Sequence, residues 1–262
     1  MRLLFIGAHP ADLIDLAAGT MLNHINAGDE VFTVAATIGL YSHPLADNRM
    51  SQDDPDFFKE KIEESKVALN VLGIPSENCN WIAADDGLFI NDDKQEILFN
   101  LAEIIRRIKP DVLITHHPAE SHHPNHAVIG QWTMEASVGA ARFISWDTIG
   151  MPRHSVSNIF FYGYQFHPNM VKLGKNVVPP DVVVDITEAI EKKAEAFVSM
   201  PSQYNTQNVV WSRLNSFEKE SGRQYGFEYA ETFISYQPCR TTLLPDFGSA
   251  NFQTLLREQA KK

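Results

Sequence analysis

Met1-Arg2-Leu3-Leu4-Phe5-Ile6-Gly7-Ala8-His9-Pro10-Ala11-Asp12 opens the chain and decides how the rest is read. Arg2 to Ile6 is a short, nearly continuous apolar run. It stops at Gly7, and polar residues follow at once. His9 and Asp12 then stand at the mouth of an apolar-periodic segment, Leu13 to Ile25. The pattern predicts a strand, a turn and a helix, with two candidate metal ligands at the carboxyl end of the strand. Open α/β sheets bind their ligands at that edge, because strand ends deliver side chains into a crevice there. The question for the remaining sequence is whether it brings a third ligand to the same spot.

Working outward, the helix after the first strand is predicted to be capped by Asp12, with Asp15 three residues on, and to end at Gly28 in a left-handed conformation. Glu30–Ala36 reads as the second strand. Thr37 to Asp56 reads as a long loop over the same sheet edge, of a length that is usually functional or mobile. Phe57–Leu72 is an amphipathic helix closed by Gly73, and Asn80–Ala84 a short strand. Lys94–Lys109 carries Ile97, Leu98, Leu101, Ile104, Ile105 and Ile108 at helical spacing. Pro110 ends it. Asp111–Thr115 is a buried-type strand, and His116-His117-Pro118 opens the loop beyond. Pro124 suits a first helical position, leading into a helix through Ala141. The last third is less regular: strands at Ile159–Tyr164 and Asp181–Ile186, helices at Glu188–Ser199 and Val209–Glu220, and Tyr229–Phe233 preceding the tail. The alternation of strands and helices implies a largely parallel, Rossmann-like α/β sheet. With no internal repeat, low-complexity segment or linker, residues 1–262 read as a single domain. Residues 1–150 form the regular part that carries the site, and 151–262 complete the sheet and pocket.

Composition bounds the class. The chain has 262 residues, 44% hydrophobic and 21% charged, which is enough for a sizeable core. A formal net charge of −11 argues against nucleic acid or an anionic membrane surface as the main partner. A small-molecule substrate and a homo-oligomer are the partners expected. Two cysteines, Cys79 and Cys239, form neither metal spacing nor a disulfide framework, and suit a reducing cytoplasm. The first apolar run is too short for a signal peptide, and no segment approaches the roughly 18 apolar residues of a membrane span.

Five of the ten histidines, His116, His117, His122, His123 and His126, fall within eleven residues after a predicted strand. His9 and Asp12 follow another. Both clusters point at one edge of one sheet. Three protein ligands of the His–Asp–His kind, with positions left for water, are what a catalytic zinc site needs. Taken singly, Asp12 reads equally well as a helix cap, and a histidine-rich loop as a solvated turn. Two such clusters at adjacent strand ends favour the metal.

These residues resemble the PIG-L/LmbE-type deacetylases. Gly7-Ala8-His9-Pro10-Ala11-Asp12 resembles the family's Ala-His-Pro-Asp-Asp-Glu signature. His122-His123-Pro124-Asn125-His126 resembles its Gly-His-Pro-Asp-His. Ala18-Gly19-Thr20, Thr37-Ile38-Gly39, Glu64 to Gly73, Asp185-Ile186-Thr187 with Lys192-Lys193, Ser202-Gln203, and Ala230-Glu231 with Phe233 follow the family's further motifs in order. The resemblance implies one Zn²⁺ per chain held by His9, Asp12 and His126. It also implies that His123 holds an oxyanion or acts as general acid; for the proton relay that hydration needs, His123, His122 or a tyrosine is the candidate. The departures are as informative. The family's usual general base is Ala11 here, the aspartate paired with its acid histidine is Asn125, and Leu13 and Leu40 replace two further acidic residues. Loss of a positioned base typically costs about 10²–10⁴ in rate. The 4-oxalomesaconate hydratase branch, with Ala-His-Ser-Ala-Asp, also lacks that first aspartate and is the nearer match in this motif.

The resemblance therefore implies a zinc-dependent enzyme acting with water on a small polar metabolite. Hydration of an unsaturated oxo- or polycarboxylic acid is narrowly favoured over N-acyl hydrolysis of an amino-sugar-like substrate, with a metal-binding paralogue lacking turnover third. Arg142, Arg153, Tyr164, His167 and Arg223 are the candidate substrate-binding residues, the arginines because guanidinium groups clamp carboxylates in pairs of bonds. Glu231 is expected to be structural, holding a loop.

Overall fold

The apolar runs become the strands of one sheet. The computed structural model describes residues 1–39, 55–84, 94–120, 123–141, 150–163, 178–203 and 206–237. Its strands are β1 (Arg2–Gly7), β2 (Glu30–Thr37), β3 (Cys79–Ala84), β4 (Val112–Thr115), β5 (Asn158–Tyr162), β6 (Val182–Asp185) and β7 (Ala230–Ser235). They lie side by side in the order β3-β2-β1-β4-β5-β7-β6. β3 to β5 are parallel neighbours, and β7 runs antiparallel to both β5 and β6. The chain is thus a single α/β domain with a mostly parallel sheet.

Helices α1 (Pro10–Asn26), α2 (Pro55–Val71), α3 (Lys94–Ile108), α4 (Pro124–Met134), α5 (Ile190–Val198), α6 (Gln207–Ser216) and α7 (Glu218–Tyr225) cover the sheet. Strand alternation explains why β1 is apolar throughout. Leu3 and Phe5 join Val112 and Ile114 in a core under α1, α2 and α5. Leu4 and Ile6 join Leu113, Ile159 and Phe161 in a second core under α3 and α4. The chain leaves β1 toward β2 and β3, then returns to build β4 on the other side of β1. That reversal makes the gap between the β1 and β4 tips the switch point of the sheet, where side chains from both connections converge.

Three expectations need correction. Asp12 is not the cap of α1: His9 is, and Asp12 stands three residues inside, its carboxylate accepting the His9 N–H at 2.7 Å. Pro10 takes the first helical position, where its missing N–H costs nothing. Asp15 turns instead to Arg213, accepting its Nε–H at 2.8 Å. The predicted helix Val209–Glu220 is two helices. They break at Phe217 (φ −118°, ψ −66°), after which Glu218 is buried against Lys193. Glu231 holds a helix rather than a loop, accepting the N–H groups of Gly19 and Thr20 at 3.0 and 2.8 Å. The left-handed Gly28 ends α1 as read (φ +85°). Most of the predicted loop Thr37–Asp56 lies outside the described residues, and Pro55–Asp56 already belongs to α2.

Candidate metal centre

β1 delivers Ala8 and His9, and its neighbour β4 delivers His116, the residue after Thr115. The two tips are tied together, the Ala8 N–H donating to His116 Nε2 at 3.0 Å. From α4 comes His126, one turn in from the capping residue His123. The helix sits close. A Cβ added to Gly130 would stand 2.3 Å from the His116 carbonyl oxygen, so only glycine allows α4 to press on the β4 tip.

Asp12 is the hub. Its Oδ1 lies 3.3 Å from His126 Nε2, and its Oδ2 lies 3.3 Å from His9 Nδ1 and 3.1 Å from His116 Nε2. Ligand atoms of Asp12, His116 and His126 all fall within 4.8 Å of one another, as do those of His9, His123 and His126. The structure therefore brings His9, Asp12, His123 and His126 into one cluster, although they come from two separate segments. His9, His116 and His126 are buried.

The electrostatics fit a cation. His126 Nδ1 lies 2.7 Å from Glu120 Oε1, so Nδ1 carries a proton and Nε2 faces Asp12. Burial would lower the His126 pKa, but Asp12 and Glu120 outweigh it and push it up to about 11. Burial would likewise raise the Asp12 carboxyl, yet first the charges of His126 and His9, and then a hydrogen bond from His126, hold it well below the ordinary range. Without metal, a proton thus stands between Asp12 and His126, where a divalent ion would compete for the same two atoms. His9 Nε2 is buried with no hydrogen-bond partner among the described residues. An imidazole nitrogen left bare in a packed interior is costly unless something else takes its lone pair. Two or more imidazoles, a carboxylate and an unpartnered nitrogen are a donor set that suits a divalent transition metal.

His123 differs. Its Nδ1 accepts the Asn125 N–H at 3.2 Å, which leaves Nε2 as the protonated nitrogen. Burial, then the nearby His9 and His126, lower its pKa to about 4. Tyr162 closes the floor, its hydroxyl donating to Ile6 O at 3.3 Å and its ring edge-on to His116. Burial, with Asp12 and Glu231 nearby, raises its phenol well above the ordinary value, so it stays neutral. Ala11 packs against the core and offers no polar atom.

Other expected residues fare differently. His122, Arg142, Tyr164 and His167 lie outside the described residues. Arg153 is exposed, beside His154, whose Nε2 bonds Pro110 O at 2.8 Å. That is the amino edge of the sheet, at the far end of β4 from the histidines, because a stretch leading into a parallel strand must start there. Arg223 is spent at the surface on Glu220, at 2.6 and 3.0 Å. Neither is brought to the cluster. Conversely, sequence reading gave no role to His116 or Glu120. For His116 the signal was available: it directly follows the strand that neighbours β1.

Comparison with known proteins agrees with this geometry. Residues 4–137, about half of the chain, match the family described as PIG-L: GlcNAc-PI de-N-acetylase. A 1D-myo-inositol 2-acetamido-2-deoxy-alpha-D-glucopyranoside deacetylase of Kineococcus radiotolerans is 26% identical over 53% of this chain, which spans only 45% of that relative. The enzyme of the same name from Mycobacterium sp. (strain KMS) is 24% identical over 77% of this chain and 74% of its own. Among solved structures, GalB, the 4-carboxy-2-hydroxymuconate hydratase of Pseudomonas putida KT2440, superposes with a TM-score of 0.75 at 21% identity. It covers 93% of this chain and 99% of its own. The N,N'-diacetylchitobiose deacetylase of Pyrococcus horikoshii superposes at 0.71 and 21%, covering 92% and 87%. These structural likenesses speak for the fold. The matched residues include the end of β1, Asp12, β4 and α4, the parts that assemble the cluster, and on that footing the chain belongs to the PIG-L family.

Proposed function

We propose that this chain is a zinc enzyme that adds water to a small unsaturated oxo- or polycarboxylic acid. His9, Asp12 and His126 are the ligands we assign to one Zn²⁺. When bound, such an ion supplies Lewis-acid polarisation of a substrate oxygen and makes water a better nucleophile near neutral pH. Adding water across a conjugated double bond pushes an electron pair onto the conjugated oxygen, which needs hydrogen-bond donors there. His123 is the donor we assign, because its Nδ1 is committed to Asn125 and its Nε2–H is left for an oxygen. His122 is kept from the sequence pattern as a candidate for the proton relay.

One observation carries the choice of hydration over amide cleavage. Alanine stands at position 11, and the two carboxylates described at the cluster are both engaged: Asp12 with three imidazoles, Glu120 with two. No described carboxylate is left to take a proton from the attacking water, the general-base task that the aspartate missing at position 11 would perform in amide hydrolysis. The second reading, N-acyl hydrolysis, keeps the support of the curated relatives, deacetylases and a mycothiol S-conjugate amidase at 24–27% identity.

The test is a two-armed turnover screen on the zinc-loaded protein, with Ala11→Asp run beside it. Loss of the ultraviolet absorbance of conjugated oxo-acids, abolished in Ala11→Asp, is the result expected. Amine release from N-acetyl amino sugars by the native protein, rising in Ala11→Asp, would instead establish the hydrolase.

A further inference from the structure

The loop after β4 folds back on itself within five residues. The Glu120 N–H donates to His117 O at 2.9 Å, and the Ala119 N–H to His117 Nδ1 at 3.0 Å. This tight turn drives Glu120 back under the histidines, where its side chain is fully buried. One oxygen, Oε1, meets His126 Nδ1 at 2.7 Å, and the other, Oε2, meets His116 Nδ1 at 3.1 Å. The two imidazoles lie stacked, with ring centroids 4.0 Å apart and planes inclined by 22°. A single carboxylate therefore grips a pair of parallel rings by the same nitrogen on each.

We propose that Glu120 is a positioning residue that fixes the proton of both His126 and His116 on Nδ1, so that both Nε2 atoms face Asp12. The inference rests on the metal reading above and extends it to the protein groups behind the ligands. An ionised carboxylate only accepts, so each ring that touches it must donate from Nδ1. For His126 this leaves Nε2 as the ligand atom. For His116 it leaves Nε2 as the acceptor of the Ala8 N–H, which ties the β4 tip to the β1 tip. His116 is thus engaged by the backbone and supports the site from behind, while His126 presents Nε2 as the ligand atom. Carboxylates that hold a ligand histidine in this way typically contribute 10–100-fold in metal affinity.

Glu120→Gln separates this role from simple packing. Glutamine keeps the shape but offers one acceptor and one donor, so one of the two rings must surrender its Nδ1 proton and carry it on Nε2 instead. If that ring is His126, the ligand atom is blocked. If it is His116, the Ala8 bond breaks and Nε2–H turns on Asp12. In either case Zn²⁺ affinity, read by competition with a chromophoric chelator, falls about 10–100-fold. Long-range ¹⁵N–¹H spectra show Nδ1–H on both rings of the wild type and its loss from one ring in the variant. In the wild type His126 keeps Nδ1–H before and after zinc is added. A wild-type His126 or His116 without a proton on Nδ1 would overturn the proposal, whether or not Glu120→Gln folds. So would a folded Glu120→Gln that binds zinc as tightly as wild type. A wild type that shows both Nδ1–H signals yet takes up no zinc would fail the metal reading alone.

Discussion

Two regions of this chain bury charge, and they do so to different ends. Behind α1, Lys193 Nζ stands 2.7 Å from Glu218, 2.7 Å from Glu231 and 2.6 Å from the Asp15 carbonyl oxygen. Glu231 in turn accepts N–H groups from the interior of α1. Asp15 O and Gly19 N, one turn apart on α1, are each met by a side chain, and the ammonium lies between the two carboxylates, with only Glu218 Oε2 in this group lacking a hydrogen-bond partner among the described residues. At the strand tips the balance is different. Three imidazoles crowd one carboxylate, and His9 Nε2 is buried without a partner among the described residues. Buried polar groups that find partners within the chain hold a fold together. A cluster that lacks a cation to complete it is held together by the fold. The first region is structure, and the second is what that structure is for.

The sharpest way to break this contrast is Lys193→Met. It leaves Glu218 and Glu231 buried without the ammonium between them, a change that typically costs about 3–5 kcal/mol. Urea unfolding should lose about that much, while the fraction that stays folded takes up metal as the wild type does. The pH dependence has a definite sign. Burial would lower the Lys193 pKa, but Glu218 and Glu231 outweigh it and raise it above the ordinary 10.5. A base whose pKa is raised by folding stabilises fully below its unfolded pKa, and the benefit is lost as pH climbs through the folded value. The stability gap between wild type and Lys193→Met should therefore be level from about pH 7 to 10 and shrink only above about 10.5. A gap that closes below pH 9 would show that the ion pairs are not its source.

Asp12→Asn is the converse. The amide still accepts the His9 N–H, but the negative charge shared among three imidazoles is gone. Metal affinity should fall by more than the roughly 10–100-fold typical of a group one step behind the ligands. Calorimetric titration with zinc measures it. The metal-free variant should lose less stability than Lys193→Met. An equal loss would mean that the strand-tip cluster is a structural knot like the one behind α1.

Gly130→Ala sits between the two regions in effect. Elsewhere on a helix this change removes a glycine penalty of about 1 kcal/mol. Here the new methyl would lie 2.3 Å from the His116 carbonyl, so α4 must retreat and carry His126 with it. We expect a cost of roughly 1–3 kcal/mol, with weakened metal binding. Gly139→Ala, whose added Cβ meets nothing within 4 Å, is the control and should be neutral or stabilising.

What could be read beforehand follows the same division. β1 to β6 were legible as apolar runs, whereas β7, with Glu231 and Thr232 inside it, was not read as a strand, and β1 and β4 predicted the edge where His9, Asp12 and His126 converge. Pro10 carried the signal that Asp12 lies inside the helix rather than at its cap, since proline takes the first helical position. Glu120 was hidden because its partners are chosen by a turn: nothing in His-His-Pro-Ala-Glu says that the last residue folds back under the first. The break at Phe217 was hidden because Glu218, on a polar stretch, pairs with Lys193 some 25 residues earlier, a contact that only the tertiary fold makes. Arginines were chosen for their chemistry alone, and chemistry does not say which edge of a sheet a residue occupies.

That last point gives the smallest effect. Arg153 is exposed at the amino edge, and Arg223 is paired with Glu220 at the surface. Exposed pairs of this kind contribute little, being screened and entropically loose. Arg153→Ala and Arg223→Ala should leave the melting temperature, zinc affinity and KM within error of wild type. A several-fold rise in KM with kcat unchanged, in either variant, would mean that the residue contributes to substrate binding. For Arg153 it would also mean that the substrate reaches the opposite edge of the sheet. The cluster at the strand tips would then be only part of the site.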